Sequence, residues 1–361
     1  MSPTPEPDRD AALELLRGAV ERASLSGQEG EVARFLVERM QALGLNARVD
    51  EAGNAVGETG TGPVQVVLLG HIDTVPGSIP VRVQDGELWG RGSVDAKGPF
   101  CTFVMAAAGL AAPVLERLRV TVIGAVEEEA PTSKGARHVA PLLQPDHCII
   151  GEPSAWDAVT LGYKGRLVVK ARVEKANFHS AGDDTTAAED LVAFWNALKA
   201  WADARNAASP RVFDAVQLAL QGISSSGDGL TQSADATIGL RLPPSLGPRE
   251  AQAAVEDLAG GRVNLVFTGH EVPYRGPKDT PLTRAFRAAI RAEGGEPTLK
   301  LKTGTSDMNV VAAHWNCPML AYGPGDSSLD HRPDERLNLD DYRRAIRVLR
   351  GALTRLAERQ G

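Results

Sequence analysis

Residues 66–77 read VVLLGHIDTVPG, an apolar run that stops abruptly at a glycine and two polar residues. The unbroken apolar run at 66–69 predicts a strand buried on both faces, of the parallel type. It breaks at Gly70, and His71 and Asp73 follow at i, i+2 spacing. Both polar side chains therefore belong to the carboxyl end of a strand, where open α/β sheets place their ligands. A neutral imidazole binds a divalent metal through one ring nitrogen when a carboxylate steadies the other. On that reading His71 is a ligand and Asp73 orients it. Taken alone, His-x-Asp also fits a hydrogen-bonded turn histidine.

Two further apolar runs repeat the pattern. The strand predicted at 120–126 ends in Glu127, Glu128 and Glu129, and the one at 147–150 ends in Gly151-Glu152-Pro153-Ser154. Three adjacent carboxylates repel one another, a repulsion that bound cations relieve; a solvated acidic loop is the other reading. Between the first two strands, GRGSVDAKGP (90–99) carries Asp95 in a glycine-dense loop ahead of an apolar helix at 100–110. The spacing of those glycines matches neither common phosphate-binding pattern. Asp85-Gly86 marks a hairpin. Two amphipathic helices are predicted at 10–25 and 29–45, a short strand at 46–50, and a last helix at 339–356. His331, in LDHRPDERLNLDDY (329–342), precedes that helix and alone would be a surface histidine.

From about residue 164 the pattern changes. A strand at 165–174, a helix at 186–204, strands at 216–224 and 234–242, a helix at 248–258 and a strand at 262–267 follow in turn. That is the split βαβ order of a ferredoxin-like sandwich. The chain is thus predicted to have a first domain at 1–163 and 275–361 and an inserted domain at 164–274. In the insert's first strand, Arg166, Lys170 and Arg172 share the face opposite Leu167, Val169 and Ala171. This basic stripe suits a negatively charged partner, or is simply a solvated face.

Composition sets outer bounds. The 361 residues are 43% hydrophobic and 24% charged with a net charge of -7, enough for two domains with sizeable cores. The acidic balance speaks against nucleic-acid and membrane partners. Cys101, Cys148 and Cys317 are odd in number and widely spaced, as free thiols of a reducing compartment are. The acidic N-terminus lacks the pattern of a secretory signal and no apolar run is long enough to span a membrane, so a soluble cytoplasmic protein is expected.

His71, Asp95, Glu129, Glu152 and His331 together supply two imidazoles and three carboxylates. Two divalent ions about 3.5–4 Å apart, sharing one carboxylate, would use that inventory. Zinc suits it, and cobalt or manganese would fit. At this point the chain resembles the M20 family of dinuclear metallohydrolases, which includes acetylornithine deacetylase, succinyl-diaminopimelate desuccinylase, aminoacylase and glutamate carboxypeptidase. The motifs that carry the resemblance are GHIDTVP, GRGSVDAKGP, EEE followed by SKGAR, GEPS, GTSD and LDHRPDE, spread over residues 66–154 and 303–335.

The resemblance implies an α/β fold: a mixed-sheet, zinc-peptidase-like catalytic domain with an inserted ferredoxin-like lid through which two copies dimerise. It implies that His71, Asp95 and Glu152 ligate one metal and Asp95, Glu129 and His331 the other. The family usually has Asp where this chain has Glu127; counting back from Gly135 makes Glu128 the general base and Glu129 the ligand. His179, in NFHSAG, matches a family histidine that a partner subunit contributes to the oxyanion, although Asp183 stands where the family often has proline. Lys164, Arg166, Arg241 and Thr305 are the candidates for holding the substrate's amino-acid carboxylate. Within the family, the run at 70–99 is most similar to the LysK type, which frees lysine or ornithine from the acidic carrier protein LysW. The resemblance equally admits a small-molecule deacylase or an amino- or carboxypeptidase, and from another class a catalytically silent dimeric binding module. The last would be expected to have lost a ligand or the base, and none is missing.

Overall fold

A computed structural model describes residues 9–179, 183–209 and 211–358. Residues 1–8, on which the reading of the N-terminus rests, and the last three residues of NFHSAG lie outside it. The described residues divide into two compact units, one made of 9–162, 276–301 and 306–358, the other of 163–179, 183–209, 211–275 and 302–305.

The first unit is built on a mixed sheet. Val64–His71 lies at its centre, parallel to Leu118–Ala125 on one side and to His147–Gly151 on the other. Met319–Ala321 continues the parallel set, while Asn46–Val49 and Ala55–Thr59 extend the opposite edge antiparallel. From Val66, Val122 and His147 onward the three central strands are buried at every position, which is why their sequences show no alternation there. Helix Lys97–Ala108 packs across them and is buried on all sides except at its last residue. Its close approach explains the glycine near the end of two of the three strands. A Cβ on Gly124 would stand 2.9 Å from the Phe100 ring, and one on Gly151 would stand 2.9 Å from Gly70 Cα and 3.0 Å from the Phe103 ring. The glycines therefore let the helix settle with its amino end, and so the Asp95 loop, over the strand ends. Asp85-Gly86 turns Arg82–Gln84 onto Glu87–Trp89, with both turn residues at positive φ as a type I′ hairpin requires. Helix Leu339–Glu358 covers the core with an apolar face of Tyr342, Ile346, Leu349, Leu353 and Leu356.

The second unit has its own core and a four-stranded antiparallel sheet, ordered Gln217–Gly227, Thr231–Leu242, Gly165–Ala176, Asn264–Glu271. Helices Ala187–Asn206 and Pro248–Ala259 cover the face that carries Leu167, Val169, Ala171 and Val173. This is the ferredoxin-like arrangement the order of elements predicts. Four strands, Ala158–Tyr163, Tyr274–Arg275, Thr298–Lys302 and Arg336–Asn338, are absent from the reading of the sequence. Ala158–Tyr163 is a short apolar run beside a turn, Tyr274–Arg275 and Arg336–Asn338 are too short to show a period, and Thr298–Lys302 alternates apolar and charged residues as a half-buried strand does. No helix among the described residues is long and apolar enough to cross a membrane.

Candidate metal centre

His71 ends the central strand and is almost fully buried. Its Nδ1 lies 3.1 Å from the Asp73 carbonyl oxygen and 3.4 Å from Asp73 Oδ1, and its Nε2 faces Asp95 Oδ1 at 3.2 Å. The other Asp95 oxygen, Oδ2, is 3.1 Å from His331 Nε2, and that same nitrogen is 2.8 Å from Glu129 Oε1. One carboxylate thus stands between two imidazoles, each oxygen turned to a different ring. Ligand atoms of His71, Asp95 and Glu129 all come within 4.8 Å of one another, a grouping that could hold a metal ion.

Of the three consecutive glutamates, Glu129 is the one that reaches His331. Glu127 is held at positive φ, and its side chain is bound by Thr132 Oγ1 at 2.6 Å and approached by Lys134 at 3.8 Å. The direction of the next two is set by Asp73, which is fully buried. Its Oδ1 accepts the Glu128 amide and its Oδ2 the Glu129 amide, each at 3.0 Å, and Ser26 Oγ donates to Oδ2 at 2.7 Å. Asp73 therefore holds the glutamate loop as well as the histidine. Glu152 follows strand His147–Gly151 and is buried.

The electrostatics follow from this crowding. Burial acts to raise the Asp95 carboxyl, but the imidazoles of His331 and His71 overcome it and hold the group well below the usual carboxylate range. His331 is raised to about 10 by its hydrogen bonds to Asp95 and Glu129. For His71, burial works against protonation, yet Asp73 and Asp95 carry it well above an ordinary imidazole. Glu128 is pushed well upward, by burial first; the His71 charge opposes this, and Glu152, Asp307 and Glu129 reinforce it. Two imidazoles that bind protons this strongly beside clustered carboxylates form a donor set that divalent cations would fit, with protons released in exchange.

The candidate substrate-binding residues and His179 belong to the second unit. Lys164 is buried, its ammonium donating to the Val212 and Ala215 carbonyls and to Gln217 Oε1, and burial lowers it to about 8. Those bonds tie it to the second unit. Arg241 Nη1 donates to Thr305 Oγ1 at 3.0 Å within the same unit, and Arg166 is half-buried. His179 is exposed on the loop after Gly165–Ala176. The basic stripe is broken up: Lys170 is exposed, but Arg172 pairs with Asp235 at 3.1 Å and Glu174 at 3.0 Å. The spacing of Arg166, Lys170 and Arg172 on one strand carries no sign of the acid on its neighbour. Asp307 of GTSD is buried near Glu128, and Glu335 of LDHRPDE is fully buried; both sit in motifs that carry the resemblance, which implies no role for either.

A model of peptidase family M20/M25/M40 matches residues 67–355. The LysW-lysine hydrolase of Deinococcus radiodurans is 58% identical over 358 residues, covering 98% of this chain and 99% of that protein. A Thermococcus kodakarensis protein provisionally named LysW-lysine/LysW-ornithine hydrolase is 40% identical, covering 97% and 95%. Among solved structures, the M20 family metallo-carboxypeptidase Sso-CP2 of Sulfolobus solfataricus superposes with a TM-score of 0.78 at 18% identity, covering 96% of this chain and 99% of that one. A Bacillus subtilis protein described as a dinuclear metal binding peptidase of the M20 family gives 0.69 at 13% identity, covering 97% and 98%. The structures share the fold, the relatives align from end to end, and the family model spans most of the sequence: the chain is a hydrolase of peptidase family M20/M25/M40.

Proposed function

We propose that this protein hydrolyses the amide that joins lysine, or ornithine, to an acidic amino-group carrier protein of the LysW kind, using two divalent metal ions. The observation that carries the reaction is Asp95, whose two oxygens face separate imidazoles at 3.2 and 3.1 Å. The substrate class follows the Deinococcus radiodurans relative at 58% identity. His71, Asp95 and Glu152 would hold one ion, and Asp95, Glu129 and His331 the other, with zinc the best match to two imidazoles among carboxylates. When bound, such ions lower the pKa of a water toward neutrality and polarise the scissile carbonyl.

The chain's own residues do the rest. Asp73 keeps His71 in one orientation and pins the amides of Glu128 and Glu129. Glu128 takes the proton of the attacking water and returns it to the leaving amine. A carboxylate that does not itself bind a metal is free for both halves of that transfer. Arg241 and Thr305 are proposed to hold the amino-acid carboxylate, and His179 to steady the oxyanion of a second copy's site in a cytoplasmic homodimer. A small-molecule deacylase is the second reading. It is favoured by the pairing of Arg172 with Asp235 and Glu174, which leaves less free positive charge for a carrier to meet.

The test is a hydrolysis panel of acyl-lysine, acetylornithine, succinyl-diaminopimelate and carrier-lysine substrates, with metal content measured on the same sample. Turnover confined to the carrier conjugate supports the reading; turnover confined to a free acyl-amino acid replaces it. Glu128→Gln should keep about two ions per chain and lose on the order of 10²-fold or more in kcat. If Glu129→Gln keeps metal and Glu128→Gln loses it, the two roles are exchanged.

A further inference from the structure

We propose that Glu335 is a positioning residue for the metal centre, locking the loop of His331 to the loop of Asp95. The inference rests on the reading of His71, Asp95, Glu129, Glu152 and His331 as metal ligands. Glu335 is fully buried, which for an acidic side chain requires several partners. It has them. Its Oε1 accepts the amides of Val94 at 2.9 Å and Asp95 at 3.1 Å, its Oε2 takes Arg91 Nη1 at 2.8 Å, and the Gly92 amide also contributes. The carboxylate therefore occupies a nest formed by residues 91–95, and one of the amides it holds belongs to the residue whose side chain stands between the two imidazoles.

The other end of the lock is His331. It lies only four residues before Glu335, is half-exposed on a loop, and has φ +62, a conformation non-glycine residues rarely adopt. Downstream the chain is held firmly. Arg336–Asn338 pairs with Glu87–Trp89, the Arg336 guanidinium stacks over Trp89 at 4.8 Å, and the Gly90 amide donates to the Glu335 carbonyl. Glu335 is thus the last fixed point before an otherwise exposed turn that must deliver a nitrogen to Asp95 and Glu129. Groups that orient ligands in this way typically change metal affinity by roughly 10–100-fold when altered.

The experiment measures the affinity of each zinc ion by chelator competition, using the full chain, in wild type, Glu335→Gln and Arg91→Lys, with thermal unfolding of the metal-free proteins alongside. Glu335→Gln keeps an oxygen for the two amides and loses the charge facing Arg91. It should still take two ions at saturating zinc, but with the weaker site loosened roughly 10–100-fold. Arg91→Lys leaves the carboxylate in its nest and should give a smaller loss of the same sign; it decides the question if Glu335→Gln fails to fold. Zinc affinities within twofold of wild type in the folded variants, with only unfolding shifted, would overturn the positioning role and leave the metal assignment standing. Failure of wild type to bind zinc would overturn both.

Discussion

Asp73→Asn tests the centre at its most connected point. The Asp73 carboxylate accepts Ser26 Oγ at 2.7 Å and the amides of Glu128 and Glu129 at 3.0 Å each, with His71 Nδ1 3.4 Å from Oδ1. Asparagine retains one acceptor oxygen. If its NH₂ replaces Oδ2, the Glu129 amide faces another donor; if it replaces Oδ1, the Glu128 amide does. Ser26 can rotate to accept, but a backbone amide cannot, so either orientation strands one amide in a buried site. That costs about 1–3 kcal/mol, and the lost charge weakens the surviving bonds further, giving about 2–4 kcal/mol in all. Urea unfolding in the presence of chelator measures this without a contribution from bound metal. The stranded amide also lets the glutamate loop shift, and misplacement of about 1 Å lowers kcat on the order of 10²-fold. A stability loss below about 0.5 kcal/mol would show that the amides find other partners, and the reasoning would fail.

Four further outcomes are expected. Asp95→Ala should lose both bound metal and activity, measured by metal analysis and turnover, because it removes the carboxylate that faces both His71 and His331. Mixing inactive His179→Ala chains with inactive Glu128→Gln chains should restore part of the activity if His179 serves a second copy; subunit exchange without recovery would refute that role. Lys170→Glu should raise KM for a carrier conjugate more than for a small acyl-lysine, an effect fading with added salt, since exposed charges are screened over about 8 Å at physiological ionic strength. His147 is buried at the start of its strand, and burial lowers its pKa against the pull of Asp146. Its unfolded form therefore binds more protons as pH falls below about 6.5, so the folded state loses stability from that pH downward until the folded imidazole itself titrates. His147→Gln should flatten this part of the stability profile measured by urea unfolding.

The layout of the chain is legible in its residues. Strands buried on both faces need continuous apolar runs, and those runs break where the sheet ends, so the points at which His71, Glu127–Glu129 and Glu152 emerge could be located without coordinates. The alternation and helical periodicity of the inserted unit likewise announce their order, because each element must bury one face. Direction and pairing belong to the tertiary structure. Three adjacent glutamates are chemically alike; the left-handed backbone of Glu127 and the Asp73 hydrogen bonds turn Glu129 toward His331, 202 residues away. Lys164 and Arg172 carry the same charge in the sequence whether free or spent, and only folding brings Gln217 and Asp235 to them. The same holds for Glu335, whose acceptor role depends on amides about 240 residues earlier in the chain. A hydrogen bond depends on where two groups meet, and for groups this far apart in the chain that meeting is a property of the packed molecule alone.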